Sequence, residues 1–305
     1  MSNYIARRLI QSVFVIVTLV ILVFFLARLT GDPAILYLPL EAPPQMREQF
    51  RIDHGLNRPI LVQLGEFVTN AVRLDFGTSL WTKQPAMRVV LSRLPLTLQL
   101  AGVTTIIALV VSFLLGTLAA LQPLGMVDRL ATFVSLIGVS VPSFWLGLVL
   151  ILVIAVELNW LPTSGTGGWD YMILPGITLA WPPTGTLVQV VRTAVLDQLS
   201  SPYLTTARAK GLGEATIMFK HVGKNALLPV LTVAGQVFIG IANGAVIVET
   251  VFGWPGIGKL TIDAIEHRDF AIIQAIVFVV AITVVSLNLL LDLGYAAIDP
   301  RIKYE

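Results

Sequence analysis

FAIIQAIVFVVAITVVSLNLLL, residues 270–291, runs for 22 residues without an Asp, Glu, Lys or Arg. About 20 apolar residues cross the hydrocarbon core of a bilayer as a helix, and a charge at its centre costs about 2.5–3.5 kcal/mol on insertion scales. The stretch therefore reads as a membrane span. Five further charge-free intervals are of comparable length: 9–27, 94–127, 130–156, 171–191 and 225–248, with 19, 34, 27, 21 and 24 residues. The next longest, 158–169, has only 12. One such interval fits a buried helix of a soluble protein. Six of them, in 305 residues of which 56% are hydrophobic and 12% charged, leave too little polar surface to cover the rest; ordinary globular domains carry about 25% charged residues. The mean hydropathy of +0.84 agrees. A net charge of +2 is too small to suggest nucleic acid as a partner. The absence of cysteine excludes disulfides, thiolate metal sites and cysteine nucleophiles.

The expected fold is an all-α membrane protein with six transmembrane helices and an extracytoplasmic insert after the first. Arg7 and Arg8 precede the first interval, which is longer than the 7–15 residues of a signal-peptide core and is followed by Phe25-Leu26-Ala27-Arg28 rather than a small-x-small cleavage pattern. It reads as a retained anchor. Six crossings put both termini on one side. With that side cytoplasmic, the inner segments hold Arg7, Arg8, Arg129, Arg192, Arg208, Lys210, Lys220, Lys224, Arg301 and Lys303, against Lys259 and Arg268 in the short outer loops. The positive-inside rule then gives cytoplasmic N- and C-termini. The domains follow: an N-terminal helix (1–28), an outer insert (29–93), a five-helix core (94–295) with a cytoplasmic loop at 197–226, and a tail (296–305). Within the insert, Ile60, Leu61, Leu64, Phe67, Val68 and Ala71 fall at helical spacing, with Gln63, Glu66 and Asn70 opposite.

Several motifs invite a chemical reading and fail it. Gly253-Trp254-Pro255-Gly256-Ile257-Gly258-Lys259 fits half a nucleotide P-loop, but Leu260 stands where Ser or Thr must hold Mg²⁺, so a tight turn with an exposed Lys259 is expected. Asp75-Phe76-Gly77 has none of the kinase motifs that would accompany it. His54, His221 and His267 lie in three separate connections without metal-ligand spacing. Glu249 and Asp292 sit at span ends on opposite sides, too far apart for a protease dyad, and read as residues snorkelling at the bilayer edge. Pro142, Pro175, Pro182 and Pro183 are expected to break helices, either around a moving cavity or as static kinks. Gly240 and Gly244 form a G-x-x-x-G with Gly235, Gln236 and Asn243 beside it, expected at a helix–helix interface. Gln99, Gln189 and Asn288 are further polar candidates inside spans.

The connection between the fourth and fifth intervals has an order of its own. Ser201 suits a helix cap and Pro202 a first helical position, so a helix is predicted over 203–210. Gly211 supplies a left-handed stop, and Glu214 opens a second short helix reaching about Asn225. Leu204, Ala207, Leu212 and Met218 give this peg an apolar side that could fit a socket on a cytoplasmic partner. On that reading Ala207→Asp and Gly211→Pro abolish function without loss from the membrane.

The run Tyr203-Leu204-Thr205-Thr206-Ala207-Arg208-Ala209-Lys210-Gly211-Leu212-Gly213-Glu214, with Leu228-Pro229 following, resembles the coupling-loop signature of bacterial ATP-binding cassette (ABC) importer permeases. Thr205-Thr206-Ala207 stands where the family pattern has Glu-Ala-Ala. Gly31-Asp32-Pro33, Val141-Pro142-Ser143-Phe144-Trp145, Glu249-Thr250-Val251-Phe252-Gly253-Trp254-Pro255-Gly256 and Asp299-Pro300-Arg301 agree with the peptide/nickel branch, in order along the whole chain. The chain thus resembles the first permease subunit of dipeptide and oligopeptide importers, a group that includes nickel and glutathione systems. The resemblance implies a type I importer permease fold in a bacterial cytoplasmic membrane. It implies a homologous second permease, two cytoplasmic ATP-binding subunits and an extracytoplasmic solute-binding protein. ATP and Mg²⁺ would bind in those partners, with no cofactor and no catalytic residue in this chain. Residues 203–214 would dock the ATPases, and Pro142, Pro182, Gln236, Gly240, Asn243 and Gly244 are candidates for the pathway or helix interface. An ion-driven secondary transporter would be expected to show an inverted repeat and mid-span charges. A purely structural scaffold would need no capped peg.

Overall fold

The computed structural model describes residues 2–29, 38, 42–53 and 55–298. The Gly31-Asp32-Pro33 motif, His54 and the terminal Asp299-Pro300-Arg301 motif lie outside the described residues. Among those described the chain is helical, with only an isolated antiparallel bridge between Thr78 and Pro85. The described residues divide into two compact units, one lying within 2–95 and 260–289, the other within 96–259 and 290–298.

The first unit contains α1 (Ser2–Leu29), α2 (Pro44–Asp53) and α3 (Ile60–Val72). The expected amphipathic helix of the insert is α3, and it packs on α1 while Ile60 and Leu61 stay exposed. Phe24 and Phe67 rings lie 5.5 Å apart, Phe67 and Phe76 6.1 Å, and Phe76 and Phe278 5.1 Å, so aromatic contacts join α1, α3 and the start of the last helix. Asp269 organises the other end. Its carboxylate accepts from the Ile272 N–H at 3.1 Å, the N-terminal cap of that helix, and from Ser79 Oγ at 2.6 Å and the Trp81 N–H at 3.2 Å. The exposed His267 ring stacks on Trp81 at 4.3 Å.

The second unit is built around one helix. After α4 (Ala86–Leu121) come α5 (Met126–Ser140), α6 (Ser143–Leu150) with a π-helical continuation Ile151–Glu157, and α7 (Asp170–Leu199). Helix α7 packs against α5, α6 and the later helix over 223–242, and buries residues along its whole length, from Leu174 to Val195. Close approach needs small residues. A Cβ on Gly185 would meet the Ser135 carbonyl, and one on Gly116 would lie 2.7 Å from Val191 Cβ. Polar groups join the same helices: Gln189 Nε2 donates to Ser135 Oγ at 3.0 Å, and Arg192 forks onto Asp128 at 2.5 and 2.8 Å. Gln189 is thus fastened between α5 and α7.

The expectation that proline breaks helices holds at Pro142 and is corrected in α7. Helix α7 continues through Pro175, Pro182 and Pro183 without a break. The break falls at Pro142, where Val141 takes the extended backbone that a following proline favours, and α5 and the α6 stretch meet at 100°. Interval 130–156 is therefore two helices, not a single rod. Among the described residues, three helices are long and apolar enough to cross a membrane: Ala86–Leu121, Glu214–Ala242 and Phe270–Gly294. The bent pair Met126–Ser140 and Ser143–Glu157 makes a fourth. Helix α7 does not pass that test. A helix surrounded by helices has no lipid to satisfy, and its Pro, Gly and Thr content reflects that position.

Candidate functional site

The connection leaving α7 is locally determined. Ser201 has the extended backbone of a cap, but its hydroxyl turns back to the Asp197 carbonyl at 3.0 Å; Pro202 then begins α8 (Pro202–Ala209). Gly211, at φ +79°, ends it. The Gly211 N–H bonds the Arg208 carbonyl at 2.9 Å and the Leu212 N–H the Ala207 carbonyl at 3.3 Å, the paired bonds of a Schellman stop. Next come α9 (Glu214–Thr216), a π-helical stretch Ile217–Val222 and α10 (Gly223–Ala242). The second segment is not the separate short helix expected, since it runs on through Pro229 into the long apolar helix.

Side chains close the turn. Arg208 Nε and Nη2 donate to the two Glu214 carboxylate oxygens at 2.7 and 3.2 Å. This contact lowers the Glu214 pKa and raises that of Arg208. Tyr203 Oη donates to Gln198 Oε1 at 2.9 Å and accepts from Asn225 Nδ2 at 3.1 Å, tying α8 to both neighbours.

The expected docking face is corrected. Leu204 and Ala207 are buried with Ile217 and Val222 against Leu187, Val191 and Val195 of α7 and Ala226 and Val230 of α10, and Met218 packs on the same core. Burying an apolar side holds the peg on its own bundle. The residues turned outward are Tyr203, Thr205, Thr206, Arg208, Ala209, Lys210, Gly211, Leu212, Gly213 and Glu214. Phe219, not singled out from the sequence, is 86% exposed. Its signal was an aromatic two positions from a buried residue in a helical stretch, which points it away from the core. The peg holds no arrangement of nucleophile and base. It is a stiff projection whose outer side carries small and polar groups together with Tyr203, Leu212 and Phe219.

Residues 112–304 match the family described as binding-protein-dependent transport system inner membrane component, and residues 1–101 match that family's N-terminal region. The chain belongs to this family. The oligopeptide transport system permease protein AppB of Bacillus subtilis (strain 168) is 40% identical over 316 residues, spanning 100% of both chains. The glutathione transport system permease protein GsiC of Escherichia coli (strain K12) is 38% identical over 308 residues, again 100% of both. The inward-facing MetNI methionine ABC transporter shares the fold, with a TM-score of 0.58 at 17% identity over 70% of this chain and 97% of that one.

In this permease the remaining candidate residues fall into distinct places. Gln236, Gly240 and Asn243 are exposed on α10, and with Asn225, Pro229 and Thr232 they recur every three to four residues along one side. Gly244 does not share that face. It follows the helix end at φ +110°, its N–H on the Ile241 carbonyl, and acts as a stop. The glycine in close helix contact is Gly235, where a Cβ would lie 2.6 Å from Leu291. Pro142 marks the 100° bend and Pro182 lies within unbroken α7. Gln99 is exposed, and Asn288 bonds its own helix at the Val284 carbonyl.

Glu249 is corrected most. It does not snorkel: in α11 (Val246–Val251) it is fully buried. Its carboxylate accepts from Thr97 Oγ1 at 2.9 Å and the Lys259 N–H at 3.0 Å, and Thr97 Oγ1 accepts from the Ile257 N–H at 2.8 Å. A Cβ on Gly256 would meet that carboxylate at 2.5 Å. The sequence that mimics a P-loop cradles an internal carboxylate at the start of α12 (Ile257–Glu266), using backbone N–H groups as a nest does for an anion. Lys259 is half-buried rather than simply exposed.

Proposed function

We propose that this permease forms half of the translocation pathway of an ATP-driven importer for di- and oligopeptides. A homologous second permease supplies the other half. Two cytoplasmic ATP-binding subunits bind ATP and Mg²⁺ and dock on residues 203–214, and an extracytoplasmic binding protein delivers the substrate. The observation that carries the reading is the peg: a Schellman-stopped helix clamped by Arg208–Glu214 and by Tyr203, with Leu204 and Ala207 committed to its own bundle and residues 208–214 turned outward. Coupling between distant sites must pass through contacts with defined alternative arrangements, and a stiff projection transmits displacement where a loose loop absorbs it. Substrate class follows the 40% identity to AppB across both full lengths.

Each of the six charge-free intervals is largely helical, which supports six crossings: α1, α4, the bent α5–α6 pair, α7, α10–α11 and α13 (Phe270–Ile298). The basic-residue bias supports cytoplasmic termini. An exposed polar stripe on α10 is costly against lipid, so it faces the second permease or the water-filled path. ATP binding closes the ATPase pair, the pegs follow, and the bundle alternates between inward and outward access.

Proteoliposomes containing the complete assembly test this. ATP inside and binding protein outside should drive uptake of labelled oligopeptide, abolished by removing either. Uptake driven by an ion gradient without ATP would contradict it. The 38% identity to GsiC favours glutathione as a second substrate reading. Competition between glutathione and peptide in the same assay decides between them.

A further inference from the structure

The first unit holds a half-open cavity of about 570 Å³, within the size range of small-molecule sites. Phe24, Phe50, Phe67, Phe76 and Phe270 wall it. The polar side of α3, which the spacing alone would send to solvent, faces this space instead through Gln63 and Glu66. Among the described residues, two carboxylates and no Lys, Arg or His line it, in a chain whose net charge is +2.

The two carboxylates differ. Glu66 is ion-paired with Arg58. Asp75 accepts the Gly77 N–H at 2.9 Å, and no cation among the described residues pairs with it. The cavity lining thus carries one solvent-exposed carboxylate without a partner cation, beside aromatic rings whose faces also attract cations. The Gln63 amide is fixed by donating Nε2 to the Leu56 and Arg58 carbonyls at 3.0 and 2.7 Å, which leaves Oε1 buried in the wall without a partner.

We propose that this cavity binds an apolar primary amine: an ammonium group set against Asp75, on a hydrophobic body held by the phenylalanines, as the free amino terminus of a peptide with a large apolar first residue presents. The peptide identity rests on the import reading above. The preference for an ammonium rests on the cavity alone.

The test is equilibrium binding of 4-fluorophenylalanyl-leucinamide and its N-acetyl form to the full-length chain in uncharged maltoside micelles, read by fluorine NMR. The free amine should bind saturably. The acetylated form should be about tenfold weaker, as expected for losing one charge-assisted contact. Affinity should fall above about pH 8 as the amino terminus deprotonates. Asp75→Asn keeps an acceptor for the Gly77 N–H, so the fold is retained. It should weaken the free amine and leave the acetylated probe unchanged. Equal binding of the two probes, or indifference to Asp75→Asn, overturns the proposal. Displacement of the probe by phosphatidylethanolamine but not phosphatidylglycerol overturns the peptide assignment in favour of a lipid amine. Because no ATPase is present, failure here is separate from failure of peptide uptake by the complete assembly.

Discussion

Removing the Glu249 carboxylate orphans the Thr97 hydroxyl and the Lys259 N–H at the turn that starts α12. Buried hydrogen bonds to a charged group contribute about 1.5–3 kcal/mol each, so Glu249→Ala should lower stability by at least about 2 kcal/mol. Gly258→Ala should act alike. Its Cβ would lie 2.7 Å from Val246 Cα, a backbone atom that cannot step aside, and overpacking of this kind costs about 1–3 kcal/mol. Gly240→Ala meets nothing within 4 Å and should leave stability unchanged. Thermal unfolding of the purified permease in detergent checks the ranking; three equal melting temperatures would contradict it. If Gly240→Ala nonetheless impairs transport in the assembly, that face meets the second permease. The tight turn over 253–259 was legible in its Gly and Pro residues. The group it wraps was not, because Thr97 lies 152 positions from Glu249 and no local pattern links them.

The peg offers a comparison between two alanines, two positions apart on one element. Ala207 is 7% exposed and Ala209 points outward. Ala207→Asp inserts a charge into the α7–α10 core and should cost stability and yield in the membrane. That replaces the expectation that this variant stays intact. Ala209→Asp should leave melting temperature and yield unchanged while uncoupling ATP hydrolysis from uptake. Gly211→Pro loses the N–H that bonds Arg208 and cannot reach φ +79°, so the stop itself should fail. The Arg208–Glu214 contact sets a pH direction. Its effect lowers the Glu214 pKa, so the contribution is present above the ordinary carboxylate value near 4.5 and is lost as pH falls through the lower folded value. Glu214→Gln should therefore matter for peg rigidity at neutral pH and cease to matter in acid, which hydrogen exchange over 203–216 can follow. Helix start and stop were legible here because caps are local. Which side faces inward was not, since that depends on α7 and α10 filling the space beneath.

At the scale of the whole molecule, charge-free length located the helices well, and the absence of charge is also what let α7 be counted with the rest. Charge content cannot tell a lipid-facing helix from one enclosed by others; only the packing of α5, α6 and α10 around α7 separates them. The 100° bend at Pro142 was signalled by the proline, but the three prolines of α7 carried the same signal and produced no break. The chain has no cysteine, so single-cysteine variants report one position each. Trp160→Cys should react with an impermeant maleimide added outside intact cells, and Lys210→Cys only after the membrane is opened. The central claim is that work reaches this permease through the peg. The most direct measurement is a photo-cross-link from Ala209→Cys, labelled with benzophenone maleimide, in the assembled transporter. The account predicts an adduct with an ATP-binding subunit and loss of ATP-driven uptake in proportion to it. An adduct-free assembly that hydrolyses ATP and imports at the normal rate would contradict it.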